Sequence, residues 1–149
     1  MAEIYNFYKV SGTLACSGQP TEEQLKQLAV EQYLAVINLA PHNNKFALPD
    51  ETGSVKVLGM KYFHIPVVFD SPQLSELIDF IKLMNELSGK KILVHCAANY
   101  RASVFTGLHL FEAKDLNEEQ TQLFIEEVWQ PDAVWQQFID DSLEYLRRR

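Results

Sequence analysis

A cysteine, an arginine and a serine stand close together in the segment Lys91–Ser103, whose sequence is KILVHCAANYRAS. The apolar run before His95-Cys96 is typical of a buried strand, and a helical pattern follows Ser103 at once. A short loop between a strand and a helix N-terminus directs unpaired amides and the positive helix end at one point, which favours an anion. Because the same field stabilises a thiolate over a thiol, we expect Cys96 to be a reactive nucleophile rather than a buried structural cysteine.

Composition limits the class of protein that can carry this segment. The chain has 149 residues, of which 47% are hydrophobic, so we expect a single domain over residues 1–149 with one ample core. The net charge is 13 − 20 = −7, which opposes nucleic acid or an anionic membrane as a partner.

The number and spacing of the cysteines and histidines predict neither disulfides nor a metal site. Cys16 and Cys96 are the two cysteines, which is no disulfide framework and predicts a reducing cytoplasm. Two cysteines and four scattered histidines lack metal-ligand spacing, so we predict no metal and no cofactor. No apolar run reaches the length of a membrane span, and no signal-peptide pattern opens the chain.

The elements predicted before the Lys91–Ser103 segment alternate between strand and helix. Residues 4–16 read as one or two short strands, and Thr21 with Gln24 forms a capping box that opens a first helix. Buried strands are predicted over 34–40 and 62–68, with a polar loop at 41–50 and a short helix at 51–59 between them.

Helices dominate the rest of the chain. Ser71 is predicted to cap a helix that has Pro72 at its first position. Asn117 and Gln120 open a later helix with the apolar residues Leu123, Phe124 and Val128, and a last helix follows Pro131. Strands that alternate with helices predict an α/β domain with a mainly parallel central sheet flanked by helices. Ligands bind at the carboxyl ends of such strands, where Cys96 would lie.

The segment around Cys96 also resembles a known family. His95-Cys96 at a strand end, with Arg101 and Ser103 opening a helix, is similar to the signature loop of cysteine-dependent protein phosphatases. Shorter pieces resemble the bacterial, tyrosine phosphatase-like branch, whose domains are also found fused to β-lactamase-like hydrolases. These pieces are Ser17-Gly18-Gln19-Pro20, Val36-Ile37-Asn38-Leu39 and His64-Ile65-Pro66-Val67.

This resemblance implies a role for each residue of the loop. Cys96 would attack phosphorus and hold a phosphocysteine intermediate. Arg101 would bind two phosphoryl oxygens as a fork, and Ser103 would either hydrogen-bond the sulfur or only cap the helix. His95 would orient the backbone of the cysteine or simply be a satisfied buried histidine. The phosphoryl oxygens would be bound by the loop amides, which belong to Ala97, Ala98, Asn99, Tyr100 and Arg101.

The leaving oxygen of a phosphomonoester needs a proton, and carboxylic acids are the candidate donors. Asp70 is the first candidate, since it follows the predicted strand that bears His64 to Val67, where related phosphatases carry an acid loop. The alternative is that Asp70 only complements a helix dipole. Asp50 is a weaker candidate acid, and Asp132 is interpreted as a helix start.

The loop departs from the phosphatase pattern in its spacing. Four residues separate Cys96 from Arg101, whereas the pattern has five, and Asn99 stands where a glycine is usual. Since asparagine tolerates a left-handed backbone, we predict that Asn99 tightens the loop and that Arg101 still points at the anion.

Three functions therefore stay open. The first is a phosphatase that hydrolyses phosphomonoesters, on proteins or small molecules. The second is a rhodanese-type sulfurtransferase that forms a persulfide on Cys96, since cysteine, four residues and arginine is also the loop length of that class. The third is a phosphate-binding or interaction module that has lost catalysis.

Overall fold

A five-stranded sheet forms the centre of the computed structural model, which describes residues 3–149. Its strands are β1 (Tyr8–Lys9), β2 (Leu14–Ser17), β3 (Ala35–Asn38), β4 (Lys61–His64) and β5 (Ile92–His95). Their order is β1-β2-β5-β3-β4, and all pairs are parallel except β1 with β2. The last residues of β2, β3, β4 and β5 therefore meet at one edge of the sheet, with β5 in the middle.

Among the described residues, six helices cover both faces of this sheet. They are α1 (Glu22–Val30), α2 (Glu51–Lys56), α3 (Leu74–Glu86), α4 (Tyr100–Glu112), α5 (Glu118–Val128) and α6 (Ala133–Arg147). Successive strand residues point to opposite faces, so Val94 packs in the cluster with α3 to α6 while Leu93 packs with α1 and α2. This is the α/β architecture that the alternation of strands and helices predicted.

The most enclosed elements are β5 and α4, which flank the signature loop. All four residues of β5 are buried, as is the run from Arg101 to Leu108 in α4. The helix contacts α3, α5 and α6 as well as the sheet. Since burial holds both flanking elements, the N-terminus of α4 is fixed relative to the carboxyl end of β5.

Several local predictions are confirmed. Thr21 and Gln24 form the expected capping box at α1, and Asn117 and Gln120 form the one at α5. The short helix predicted at 51–59 is α2, and the chain leaves the turn that follows it at Gly59 with a positive φ of 83°. Such features depend on residues three or four positions apart, which a sequence pattern displays directly.

Other boundaries are corrected by the structure. The helix predicted to start behind Ser71 begins at Leu74 instead, because Gln73 and Glu76 form a capping box of their own. The strand predicted over 62–68 ends at His64, ahead of Pro66, which has no amide hydrogen to donate to the sheet. Leu123 of α5 is 53% exposed and so lies outside the core. In the part of the chain that the structure describes, no helix has both the length and the apolar character to cross a bilayer.

Candidate active site

The carbonyl groups of the signature loop, residues 96–99, are occupied by other parts of the protein. His95 Nδ1 lies 3.1 Å from the Cys96 oxygen. The Gln19 amide donates to the Ala97 oxygen at 3.0 Å, and the Asn6 side chain donates to the Ala98 oxygen at 2.9 Å. Each of these carbonyls is therefore drawn outward, toward the protein that surrounds the loop.

The amide groups of this loop and of the first turn of α4 behave in the opposite way. Within residues 3–149, five of them make no hydrogen bond, namely those of Ala97, Ala98, Tyr100, Arg101 and Ala102. The side chain of Asn99, the N-cap residue of α4, accepts none of them. Unpaired amides at a helix N-terminus combine a set of donors with the positive helix end, an arrangement that can bind an anion beside Cys96.

Asn99 has the left-handed conformation that its residue type suggested. Its φ is 72° and its ψ is 7°, and its side chain donates to the Asn6 oxygen at 2.9 Å. Near this turn, burial raises the pKa of Cys16 to about 12. Cys16 therefore stays protonated near neutral pH and does not compete with Cys96 as a nucleophile.

Arg101 joins the start of α4 to the segment that follows β4. One terminal nitrogen donates to the Val67 oxygen at 2.9 Å, and the guanidinium lies 5.5 Å from the centre of the Phe69 ring. The residue is only 8% exposed, yet its buried Nε has no partner within residues 3–149. Buried arginine N–H groups rarely lack an acceptor, so this one remains available to an anion in the loop.

The side chain of Ser103 hydrogen-bonds a backbone carbonyl of α4. Its hydroxyl donates to the Tyr100 oxygen at 2.9 Å, and its side chain is fully buried. Of the two roles that the sequence left open, this geometry corresponds to stabilising the first turn of α4 rather than contacting the Cys96 sulfur.

His95 forms a buried pair with a residue that sequence reasoning did not identify as functional. Its Nε2 lies 2.5 Å from Glu51 Oε2, and the two side chains have 0% and 1% exposure. Burial alone would raise the pKa of Glu51, but the hydrogen bond and charge of His95 outweigh it and hold that pKa below its ordinary value. A glutamate at the start of a helix is too common a feature to reveal this role in the sequence.

Asp70 is exposed and lies on the segment between β4 and α3. Two hydrogen bonds hold this segment, since Arg101 donates to the Val67 oxygen and the Trp135 indole donates to the Phe69 oxygen at 2.7 Å. Cys96 itself has no exposed surface, so a substrate reaches its sulfur only if a neighbouring segment shifts.

The two alternative acids serve as helix caps. The Asp50 side chain accepts from the Gly53 amide at the start of α2, and that of Asp132 accepts from the Trp135 amide at the start of α6. The interpretation of Asp132 as a helix start is thus confirmed.

The remaining polar features near the site have local partners. In the loop of residues 41–50, the His42 ring stacks on that of His64 with centroids 3.9 Å apart, and it binds the Tyr62 hydroxyl at 2.8 Å.

Among the described residues, no group of three His, Cys, Asp or Glu side chains is placed to hold a metal ion. A cavity of about 510 Å³ lies at the opposite end of the sheet, near Leu14 and Ile92, away from the signature loop.

Solved structures share this fold over nearly the whole chain. The DUF442 putative phosphatase from Shewanella putrefaciens CN-32 is 33% identical, with 96% of this chain and 94% of that chain covered and a TM-score of 0.86. Tk-PTP in its active form is 24% identical, with 97% of each chain covered and a TM-score of 0.77. The core catalytic domain of the PP-IP phosphatase SIW14 from S. cerevisiae is 18% identical, with 92% and 85% covered and a TM-score of 0.77.

These likenesses assign the family. No protein-family model and no curated protein matches the sequence. The identity to the Shewanella protein extends over almost the full length of both chains, however, and the fold is that of cysteine-dependent phosphatases. The chain therefore belongs to the protein tyrosine phosphatase-like family of cysteine-dependent phosphatases.

A substitution at Gly18 tests how closely this residue packs against Ala97 of the loop. A Cβ at Gly18 would lie 2.6 Å from the Ala97 oxygen and 2.8 Å from the Tyr5 ring. We expect Gly18→Ala to lower the free energy of unfolding by about 1–3 kcal/mol, because the loop must move to admit the methyl group. Gly12→Ala is the matched control, since a Cβ at Gly12 would meet nothing within 4 Å. Equal stability of the two variants in urea unfolding would contradict the contact.

Asn99 tests the left-handed turn. We expect Asn99→Ala to lower the free energy of unfolding by about 1–2 kcal/mol, because an alanine Cβ is strained at positive φ. Asn99→Gly removes the strain but also the bond to Asn6, so its loss should be smaller than that of alanine. Urea unfolding measures both variants, and a glycine variant less stable than the alanine variant would refute the argument.

Proposed function

We propose that this protein is a phosphatase that hydrolyses phosphomonoesters through a phosphocysteine intermediate on Cys96. The observation that carries the proposal is the signature loop, whose carbonyls are bound outward while five amides and Arg101 Nε lack partners. A tetrahedral dianion such as a phosphoryl group supplies several acceptors at one point, which matches this excess of donors.

The two chemical steps use the same residues. In the first, the Cys96 thiolate attacks phosphorus and the bond to the leaving oxygen breaks, while Asp70 gives that oxygen a proton. In the second, a water molecule attacks phosphorus and passes a proton to Asp70, and the phosphorus–sulfur bond breaks to release phosphate and the thiolate. The loop amides and Arg101 would stabilise the charge that develops on the phosphoryl oxygens.

Two further points support this assignment. Both cysteines are free thiols among the described residues, which suits a cysteine nucleophile in the reducing cytoplasm. The bond from Arg101 to the Val67 oxygen brings the segment that carries Asp70 against the start of α4, where the leaving group of a bound ester would lie.

Parallel assays separate the phosphatase from the two alternatives. We expect the protein to hydrolyse an aryl phosphate and to show only background transfer of sulfur from thiosulfate to cyanide. Iodoacetamide labelling of Cys96 should have its inflection below pH 8, and vanadate should protect the site.

Two substitutions complete this test. Cys96→Ser should abolish hydrolysis, whereas Cys16→Ala, which removes the cysteine whose pKa is about 12, should retain it. Sulfur transfer that depends on Cys96 would establish the sulfurtransferase instead. Anion binding without either activity would establish the non-catalytic module.

Asp70 is tested through the leaving group. A general acid matters most for poor leaving groups, so Asp70→Asn should reduce hydrolysis of phenyl phosphate by about 10²–10⁴-fold and that of nitrophenyl phosphate much less. Asp50→Asn and Asp132→Asn run in parallel, because asparagine caps a helix as well as aspartate does. Equal losses on both substrates would remove Asp70 from the role, and a selective loss in either parallel variant would transfer the role to that residue.

A further inference from the structure

The carboxylate of Glu51 is held by donors on both of its oxygens. His95 Nε2 lies 2.5 Å from Oε2, and the Gln19 side chain donates to Oε1 at 2.8 Å. Glu51 is also the first residue of α2, where the positive end of the helix favours an anion. These contacts hold the pKa of Glu51 below its ordinary value despite burial, so the side chain is ionised at neutral pH.

An ionised Glu51 determines the hydrogens of the His95 ring. A carboxylate only accepts hydrogen bonds, so Nε2 must carry a hydrogen. The Cys96 oxygen, 3.1 Å from Nδ1, also only accepts, so Nδ1 must carry one as well. A neutral imidazole has a single N–H and would leave a lone pair facing one of these two oxygens. A hydrogen on each ring nitrogen, as in an imidazolium ring, would satisfy both contacts at once.

This ring in turn orients the first peptide unit of the loop. In a trans peptide the carbonyl and the amide point in opposite directions. When the Cys96 oxygen is held by His95, the Ala97 N–H of the same peptide unit is directed to the other side. That amide is one of the five in the loop that lack a partner.

We infer that Glu51 is a positioning residue of the phosphatase site proposed above, and the inference rests on that function. It keeps His95 doubly protonated, which fixes the Cys96–Ala97 peptide unit and places a buried positive charge next to the nucleophile. Glu51 makes no hydrogen bond to Cys96. It contacts the loop through His95 and through Gln19, whose backbone amide binds the Ala97 oxygen, and His95 is the contact next to the nucleophile.

The other ionisable groups near the pair are placed differently. His64 of β4 and His42 of the loop after β3 face Glu51 and His95, and burial lowers the pKa of His64, which favours its neutral form. From β2, Cys16 faces Cys96 as a thiol with a pKa of about 12. Arg101 is the remaining cation near the loop, and it is anchored on the Val67 oxygen.

The substitution Glu51→Gln removes the negative charge of the side chain and keeps its size. A glutamine amide N–H can donate to Nε2 of a neutral His95 whose Nδ1–H still binds the Cys96 oxygen, so the fold is retained while the charge pair is lost. We expect the labelling inflection of Cys96 to rise by about one pH unit or more. We also expect kcat for aryl phosphate to fall by up to about 10-fold at pH values below the labelling inflection, where the thiolate fraction falls tenfold for each unit by which the inflection rises.

The matched control is Glu22→Gln. Glu22 also contacts α2, through the Ser54 hydroxyl at 3.0 Å, and it carries the same charge on the surface of α1. Because it does not contact His95, its substitution should leave the labelling inflection and kcat unchanged. A shift of equal size in Glu22→Gln would show that only the net charge matters and would overturn the inference.

Nitrogen NMR of the histidine rings measures directly, in the native protein, which ring nitrogens of His95 carry a hydrogen. At pH 7 both ring nitrogens of His95 should show the signature of N–H in the native protein, and one should lose it in Glu51→Gln. A bare ring nitrogen in the native protein would overturn the inference, as would a fall in kcat without any change in the ring or the labelling inflection. These readouts do not depend on turnover, so a protein without phosphatase activity would refute the proposed function separately.

Discussion

The site depends on one constraint, which is that the carbonyls of residues 96–98 are bound from outside the loop. Two of the three partners, the Gln19 backbone and the Asn6 side chain, come from distant parts of the chain, and the third is the ring of the neighbouring His95. Because each peptide unit is planar, a carbonyl turned outward directs its amide inward. The unpaired amides of Ala97 and Ala98 are thus a consequence of where the Cys96 and Ala97 oxygens are held, while those of Tyr100, Arg101 and Ala102 belong to the N-terminus of α4.

The opposite side of the loop is held by aromatic and cationic contacts. Arg101 binds the segment after β4 through the Val67 oxygen, and Trp135 binds the same segment through the Phe69 oxygen. Tyr100 stacks on Trp129 with ring centres 4.4 Å apart, which connects the start of α4 to the end of α5. Because Cys96 is fully buried, the segment after β4 matters for substrate entry. Its hydrogen bonds with Arg101 and Trp135 must be kept or exchanged when a phosphoryl group enters.

Charge is distributed unevenly in this molecule. The chain carries a net charge of −7, yet its signature loop combines a helix N-terminus, Arg101 and the ring of His95. Glu51 binds Nε2 of that ring and is the partner that a buried cation on His95 would need to compensate its lost hydration. A negative side chain thus lies behind His95, while Arg101 and the unpaired amides lie at the start of α4.

The sequence by itself determined the local parts of this arrangement. The strand, loop and helix around Cys96, the left-handed turn at Asn99 and the capping boxes of α1 and α5 all depend on residues a few positions apart. Only the tertiary structure decided that Asn6 and Glu51 serve the loop, because they lie 92 and 44 residues from their partners Ala98 and His95. Common residue types at such separations leave no pattern, and only the pairing of β1, β2, β5 and β3 in one sheet brings their flanking segments together.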